Sequence, residues 1–268
     1  MKRTVYLIGW LMGFVCQLYA QSNNYNSSMS DKDNVVMIDD NVVERNFMPY
    51  ELMYYRDTTN TFSFNEISSK EFHHHFKEHP EYQNKDFRSN TSYWIRMAIH
   101  HNHSTKKVWL LEFYDQTIDH LQAFIPQEEG NYKQVLMGDS KLFPDRIIPH
   151  KNFEIPLVMK SDTVMYYYFN IRSHEFADIR IALRSVDRFI YYALNEYFLF
   201  GTFYGMILII SLYNFLVFLA IREIKNIYYI IYILSVAAYA MSYDGIGFQY
   251  LWPNHPDWNN YATGFTLY

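Results

Sequence analysis

An all-β domain, a jelly-roll-like β-sandwich, followed by transmembrane α-helices is the fold class the sequence predicts. Three observations predict it. Apolar and polar residues alternate with period two at many places between residues 34 and 195, as in Tyr93-Trp94-Ile95-Arg96-Met97-Ala98-Ile99-His100, and that period belongs to strands. From Tyr197 to Ile221 there are 25 residues without a charge, and from Asn226 to Tyr243 another 18. At ~1.5 Å rise per residue, runs of this length match a ~30 Å hydrocarbon layer. Lys2 and Arg3 precede the apolar run Val5 to Val15, with Leu18-Tyr19-Ala20 before Gln21, the layout of an export signal.

Composition narrows the class further. The chain of 268 residues is 50% hydrophobic and 19% aromatic, with 26 Tyr and 21 Phe, so most of it can build a core. Charged residues make up 19%, below the roughly 25% of soluble domains. A net charge of −5 disfavours a nucleic-acid-binding surface, which needs a basic excess. The one Cys, Cys16, excludes a disulfide scaffold. If the signal is cut after Ala20, the mature chain holds no Cys. Val15 is bulky where a lipoprotein box needs a small residue.

Taken in order, residues 1–20 read as the signal peptide and the polar stretch 21–33 (QSNNYNSSMSDKD) as a flexible tether. The β-sandwich is expected over 34–195. Besides 93–100, strand candidates lie at 34–38, 47–55, 107–114, 119–125, 132–137, 152–159, 163–172 and 178–184, short, aromatic or β-branched, and bounded by Asn, Asp, Gly or Pro. Residues 66–78 are the one stretch there that reads as helix. No βαβ rhythm points to a nucleotide-binding sheet. Residues 196–268 should hold two spans and the start of a third. Ser185–Glu196 is expected to continue as helix into the first span. Apart from Lys32 in the tether, Lys2, Arg3, Arg222 and Lys225 are the basic residues outside the sandwich, and the positive-inside rule places both groups in the cytoplasm. The sandwich and the loop 244–260 then share the outer side.

Candidate chemistry is sparse. Seven of eleven His lie between His73 and His103. His75 and His79 are four apart, a helical spacing compatible with a metal, but no Cys or HExxH accompanies them, and a solvated polar helix is the plainer reading. Trp94, Arg96, Trp109 and Glu112 are the candidate ligand-binding residues, with Tyr114 and Tyr166-Tyr167-Tyr168 as further aromatics suited to stacking on a sugar. If Tyr93, Ile95, Met97 and Ile99 face the core, Trp94 and Arg96 face outward. The alternative is that Arg96 pairs with Glu112 across neighbouring strands. Asp244, Gly245, Gly247, Phe248, Gln249 and Trp252 form a compact turn at the outer end of the second span, expected to couple the sandwich to the helices or else to be an ordinary interfacial turn. Ser211 and Asn214 are expected to face helix neighbours, and Gly201 and Gly205 offer a small-xxx-small packing face. No catalytic constellation is present, and neither enzyme activity, metal nor cofactor is expected.

The run Gly201-Thr-Phe-Tyr204-Gly205, then Ser211-Leu-Tyr213-Asn214, the charged turn, Tyr228-Tyr229 and Tyr232, and Asp244-Gly245-Ile-Gly247-Phe248-Gln249-Tyr250-Leu251-Trp252-Pro253 resembles the start of the bacterial seven-transmembrane receptors with diverse intracellular signalling modules (7TMR-DISM). Tyr93-Trp94-Ile95-Arg96, Trp109-Leu110-Leu111-Glu112, the strand after Asp119 and Tyr132 to Gly138-Asp139 are similar to that family's second type of extracellular sensor domain. The resemblance spans about residues 45–268. It implies a jelly-roll sensor akin to carbohydrate-binding modules, in the periplasm, on a multi-pass protein of the bacterial inner membrane. The helices would relay ligand state to a cytoplasmic output such as a kinase, cyclase, phosphatase or DNA-binding segment, which these residues do not contain. Expected partners are a small ligand, with carbohydrate the leading class, and the lipid bilayer; a homodimer is a candidate assembly. The competing reading is a membrane-tethered carbohydrate-binding or adhesion module that does not signal.

Overall fold

The structure, a computed structural model, describes residues 34–48, 51–78, 91–101, 107–127, 130–157, 159–160, 162–173 and 179–265. The expected signal peptide, the tether, His79 and His103 lie outside the described residues.

Eleven strands are described: β1 (Val35–Ile38), β2 (Glu44–Asn46), β3 (Met53–Asp57), β4 (Lys77–Glu78), β5 (Ser92–His101), β6 (Trp109–Phe113), β7 (His120–Pro126), β8 (Tyr132–Met137), β9 (Phe153–Leu157), β10 (Val164–Arg172) and β11 (Ile181–Ser185). They form two mostly antiparallel sheets. The larger has the order β4-β3-β5-β10-β7-β8, with β1 joining β5 in parallel beyond the reach of β3. The smaller has the order β2-β11-β6-β9. The core lies between them. Tyr93, Ile95, Met97 and Ile99 point into it, as alternation predicts, opposite Trp109, Leu111 and Phe113 of the smaller sheet. Phe113 meets Phe169 edge-on, with ring centroids 5.0 Å apart, a favourable aromatic geometry.

The strand candidates are found with ends shifted by a few residues. Of the candidate 47–55, Met53–Tyr55 open β3, while Phe47, Met48, Glu51 and Leu52 lie outside the strands. Residues 66–78 do not form the expected helix. Asp57 accepts hydrogen bonds from the backbone N–H of Thr59, Asn60 and Phe62 at 2.8 to 3.1 Å, which turns the chain out of β3. A short helix α1 (Phe64–Ile67) follows, with Glu66 accepting from the Ser63 N–H at 2.8 Å. It stops at once, and His73–His75 make only a 3₁₀ turn. The reason is packing: Phe64, Ile67, Phe72 and Phe76 lie down on the outer face of the larger sheet against Trp94, Phe124 and Tyr168. Rings anchored on a flat sheet outweigh the weak helical period of a Ser- and His-rich stretch.

The sandwich runs directly into α2 (Val186–Ile221), a single helix of 36 residues. Ser185 caps it, accepting from the Arg188 N–H at 3.4 Å. Arg222 ends it in the left-handed region, φ 55°, and α3 (Ile224–Tyr243) begins two residues later. Both helices are apolar enough to cross a membrane. They pack through Ile207, Ile233 and Ala237 and expose Phe198, Leu208, Ile209 and Leu212 to their surroundings, as a lipid-facing helix does. Among the described residues, nothing lies within 4 Å of where a side chain on Gly201 or Gly205 would begin. Asn214 turns its amide back onto the Ile210 carbonyl, 2.8 Å away. Ser211 is buried. The connection after α3 is more ordered than a loop, holding α4 (Ile246–Tyr250), a 3₁₀ turn at Pro256–Trp258 and α5 (Asn259–Phe265).

Phe169→Ala removes a ring that is fully buried between the sheets. Chemical denaturation of the chain in detergent should show a loss of about 3–5 kcal/mol, against less than about 0.5 kcal/mol for the exposed Gln134→Ala.

Candidate functional site, a buried ionic joint between sandwich and helix

On β6 and β11 of the smaller sheet, and at Glu154 of β9, the residues between the core-facing ones are also buried. Pairing places Glu44 opposite Arg184, Ala182 opposite Glu112, and Glu112 opposite Glu154. Arg184 and Glu112 are therefore diagonal neighbours on one face. The Arg184 guanidinium bonds Glu44 Oε1 at 2.7 Å and contacts the Glu112 carboxylate directly. Asn152 Nδ2 donates to the other Glu112 oxygen at 2.6 Å.

The first three turns of α2 cover this row of charges. Arg188, Tyr192 and Glu196 recur at four-residue spacing and so share one helix face. Arg188 Nε donates to Glu44 Oε2 at 2.7 Å. The Tyr192 ring covers the Arg184 guanidinium, 4.4 Å from its centroid, and its hydroxyl donates to Glu196 Oε1 at 3.0 Å. Lys151 Nζ lies 3.1 Å from Glu196 Oε1. His150 stands between the two bodies, with Nδ1 2.6 Å from Glu154 Oε1 and Nε2 3.6 Å from Glu196 Oε2. Phe189 and Tyr197 pack edge-on against its ring.

Arg146 holds the segment that presents His150. Its guanidinium donates to the carbonyls of His150, Lys151 and Asn152 at 2.6 to 3.2 Å and stacks over Phe143 and Phe153. Burial lowers its pKa to about 10, against the pull of Glu154 and Asp139, so it stays charged at neutral pH. Burial, then the neighbouring Glu154 carboxylate, pushes Glu112 up to about 8, while the Asn152 hydrogen bond and His150 pull it down; the Arg184 contact also favours the ionised form.

The turn after α3 docks beside this joint. The Tyr197 hydroxyl donates to Gln249 Oε1 at 2.6 Å, and Gln249 Nε2 donates to the Pro149 carbonyl at 3.3 Å. Gln116 donates to the Tyr243 carbonyl. The Phe143 N–H donates to the Pro253 carbonyl at 2.9 Å, and Phe248 meets Phe143 edge-on. Gly245 sits at φ 73° against Gln116. Gly247 leaves room for the Trp252 ring; a Cβ there would fall 2.2 Å from it. Asp244 closes α3, and burial raises its carboxyl to about 6, with Lys151 opposing. The six residues singled out at this turn thus all lie at or next to the sandwich–helix contact.

The other sequence candidates are distributed differently. Trp94 and Arg96 do lie on the outer face of the larger sheet but are not exposed: they are 2% and 3% accessible, because the α1 excursion lies over them, and Arg96 stacks on Phe76 and Tyr166. Trp109 is in the core. Glu112 belongs to the other sheet, so Arg184 rather than Arg96 is its cation. The four therefore present no common surface. Of the histidines, His73 lies 3.2 Å from the Tyr168 hydroxyl, His75 packs on Phe72 and Tyr55, and His101 lies 3.2 Å from Asp40. Arg184, His150, Lys151, Glu154 and Arg188 were not singled out by the sequence reading. For Arg188 the signal was the 188/192/196 spacing at the start of a helix otherwise apolar; the other four carry no local one.

Glu112, His150 and Glu154 bring possible metal-ligand atoms within 4.8 Å of one another. Their donors are already engaged: Nδ1 of His150 by Glu154, and both Glu112 oxygens by Asn152 and Arg184. A guanidinium in contact with a carboxylate oxygen occupies the place a cation would take, so the arrangement fits an ion-pair network rather than a metal centre.

Two family models match the chain. One, described as 7TMR-DISM extracellular 2, matches residues 50–185; the other, described as 7TM diverse intracellular signalling, matches residues 196–268. No curated protein matches it.

Arg184→Met leaves Glu112 buried without its cation and should cost about 3–5 kcal/mol. Arg184→Met with Glu112→Leu should recover most of that loss in the same denaturation measurement, since both charges are then gone. Gly247→Ala should lower stability by about 1–3 kcal/mol, and tryptophan fluorescence should report Trp252 displaced.

Proposed function

We propose a sensory function from this premise: the chain belongs to the 7TMR-DISM family, with that family's second extracellular domain ahead of its seven-transmembrane region. It is a membrane protein of a receptor family with an extracellular sensor. In our reading the sandwich is the sensing unit of a multi-pass receptor of a bacterial inner membrane, and it faces the periplasm. It binds a small ligand, with carbohydrate the class its surface favours. The bound state passes through the ionic joint into α2 and on to an output outside these residues. The turn from Asp244 to Trp252 is the second arm of that coupling.

The observation that carries this reading is the joint itself. A tethered adhesion module needs only a linker before its anchor. Here three turns of the first apolar helix are fastened to the sandwich through buried charges, and the turn after the second helix is fastened to it as well. Two separate attachments are what transmission of a small displacement requires. For the ligand, support comes from half-buried rings on the outer face of the larger sheet. Tyr132, Tyr166 and Phe72 pack over the buried Trp94 and Tyr168, and rings held this way lose little freedom when a sugar stacks on them.

Glycan-array screening of the chain in lipid nanodiscs tests the ligand class, and Tyr166→Ala should weaken a sugar hit about tenfold, equivalent to ~1.4 kcal/mol. With that ligand, hydrogen exchange should change at residues 186–205 and 244–252. Gly-Gly inserted after Asn195 should abolish the change at 197–205 while binding stays intact. Unchanged exchange at both segments in the parent chain would favour the adhesion module.

A further inference from the structure

We propose that His150 is a proton-operated latch between the sandwich and α2: protonated, it joins Glu154 of β9 to Glu196 of the helix, and on losing its proton it loosens the hold of the sandwich on the helix. The proposal goes beyond ligand sensing and needs no ligand.

The geometry places His150 alone among the ring side chains of the joint with one nitrogen toward a carboxylate of each body, at 2.6 and 3.6 Å. A neutral imidazole carries one N–H and no charge; an imidazolium carries an N–H toward each, hydrogen-bonded to Glu154 at 2.6 Å and paired by charge with Glu196 at 3.6 Å. Both carboxylates are buried, Glu154 at 1% and Glu196 at 5% exposure, so solvent does not screen the loss of the imidazolium charge.

The charges facing the ring come from every element around it. From β6 there is Glu112, from β9 Glu154, and from its own segment Lys151. Arg146 supports that segment from beneath. From β11 comes Arg184, paired with Glu44 of β2. From α2 come Arg188 and Glu196, with the Tyr192 and Tyr197 hydroxyls. Asp244 closes the side of α3. Glu44, Glu112, Glu154, Glu196 and Asp244 thus face the permanent cations Arg146, Lys151, Arg184 and Arg188. Burial alone would lower the pKa of His150, but the carboxylates of Glu154 and Glu196, with Glu112 behind them, raise it to about 9 from an ordinary 6.5. A raised folded-state pKa means that the proton is held more tightly in the docked state. The latch is therefore at full strength below pH ~6.5, weakens above it, and is lost as pH rises through about 9.

The test uses the whole chain in nanodiscs, without ligand, so its failure would leave the ligand reading standing. With Cys16→Ser, spin labels go on the exposed Gln134 of β8 and the exposed Tyr191 of α2. The label-to-label distance distribution should be narrow at pH 6.5 and broaden by pH 9.5, with its midpoint near 9. His150→Gln should remove that transition, and Glu196→Gln should move the midpoint down. Imidazole NMR, with the His150 signal assigned by its loss in the variant, should show titration well above 6.5. A distribution unchanged to pH 10, or a His150 that titrates at or below 6.5, would overturn the proposal. Should His150→Gln fail to fold, the Glu196→Gln shift and the imidazole titration decide it.

Discussion

A guanidinium set on a strand face beneath a helix has no water to turn to, and Arg184 imposes that condition on everything around it. It sits in the middle of a four-stranded sheet whose inner face is mostly apolar. Its outer face could have been left to solvent, as in many antiparallel sandwiches. Instead the start of α2 closes over it, and each charge must then find an opposite one. Glu44 and Glu112 answer Arg184; Arg188 answers Glu44; His150 and Lys151 answer Glu154 and Glu196. A buried pair adds little net stability over an apolar contact of the same shape, but it penalises any arrangement in which one partner is displaced. The network therefore defines the position of the helix on the sheet more sharply than oily packing would.

The turn after α3 depends on that position. Gln249 is hydrogen-bonded to Tyr197 of α2 and to Pro149 of the sandwich at once, which is possible only when the first helix is already seated. Gly247 and Trp252 then close the turn upon itself. Asn259 extends the contact by donating to the Asp139 carbonyl at 2.9 Å while accepting from the Trp252 indole at 2.8 Å. The attachment is thus sequential in its logic: sheet, first helix, then turn.

Much of this fold was legible in the residues. Strand periodicity located the sheet-forming segments, and the core face of β5 was read correctly from Tyr93, Ile95, Met97 and Ile99, because core burial writes itself into every second position. Uncharged length located α2 and α3. What alternation cannot reveal is whether the second face of a strand is covered too. Trp94 and Arg96 read as outward because the aromatic excursion over them is remote in sequence and has weak period of its own. Glu112 read as a ligand contact for the same reason: its burial is decided by Arg184, some seventy residues on, and by a helix whose apolar character drew attention away from Arg188 and Glu196. The Asp244–Trp252 turn was noticeable because Gly, Asp and Trp interrupt an apolar stretch, a local signal that needs no knowledge of distant partners.

The length of α2 has a mechanical consequence. Its 36 residues run without a proline and amount to about 54 Å at ~1.5 Å per residue. Fastened only at its outer three turns, the helix is a lever with its fulcrum at the sandwich surface. A tilt of about 5° there carries the far end of the ~37 Å arm beyond Glu196 about 3 Å sideways, over half a helical pitch. Small rearrangements among a few buried side chains, too slight to alter the sandwich, are in this way enlarged to a displacement that a neighbouring helix must register.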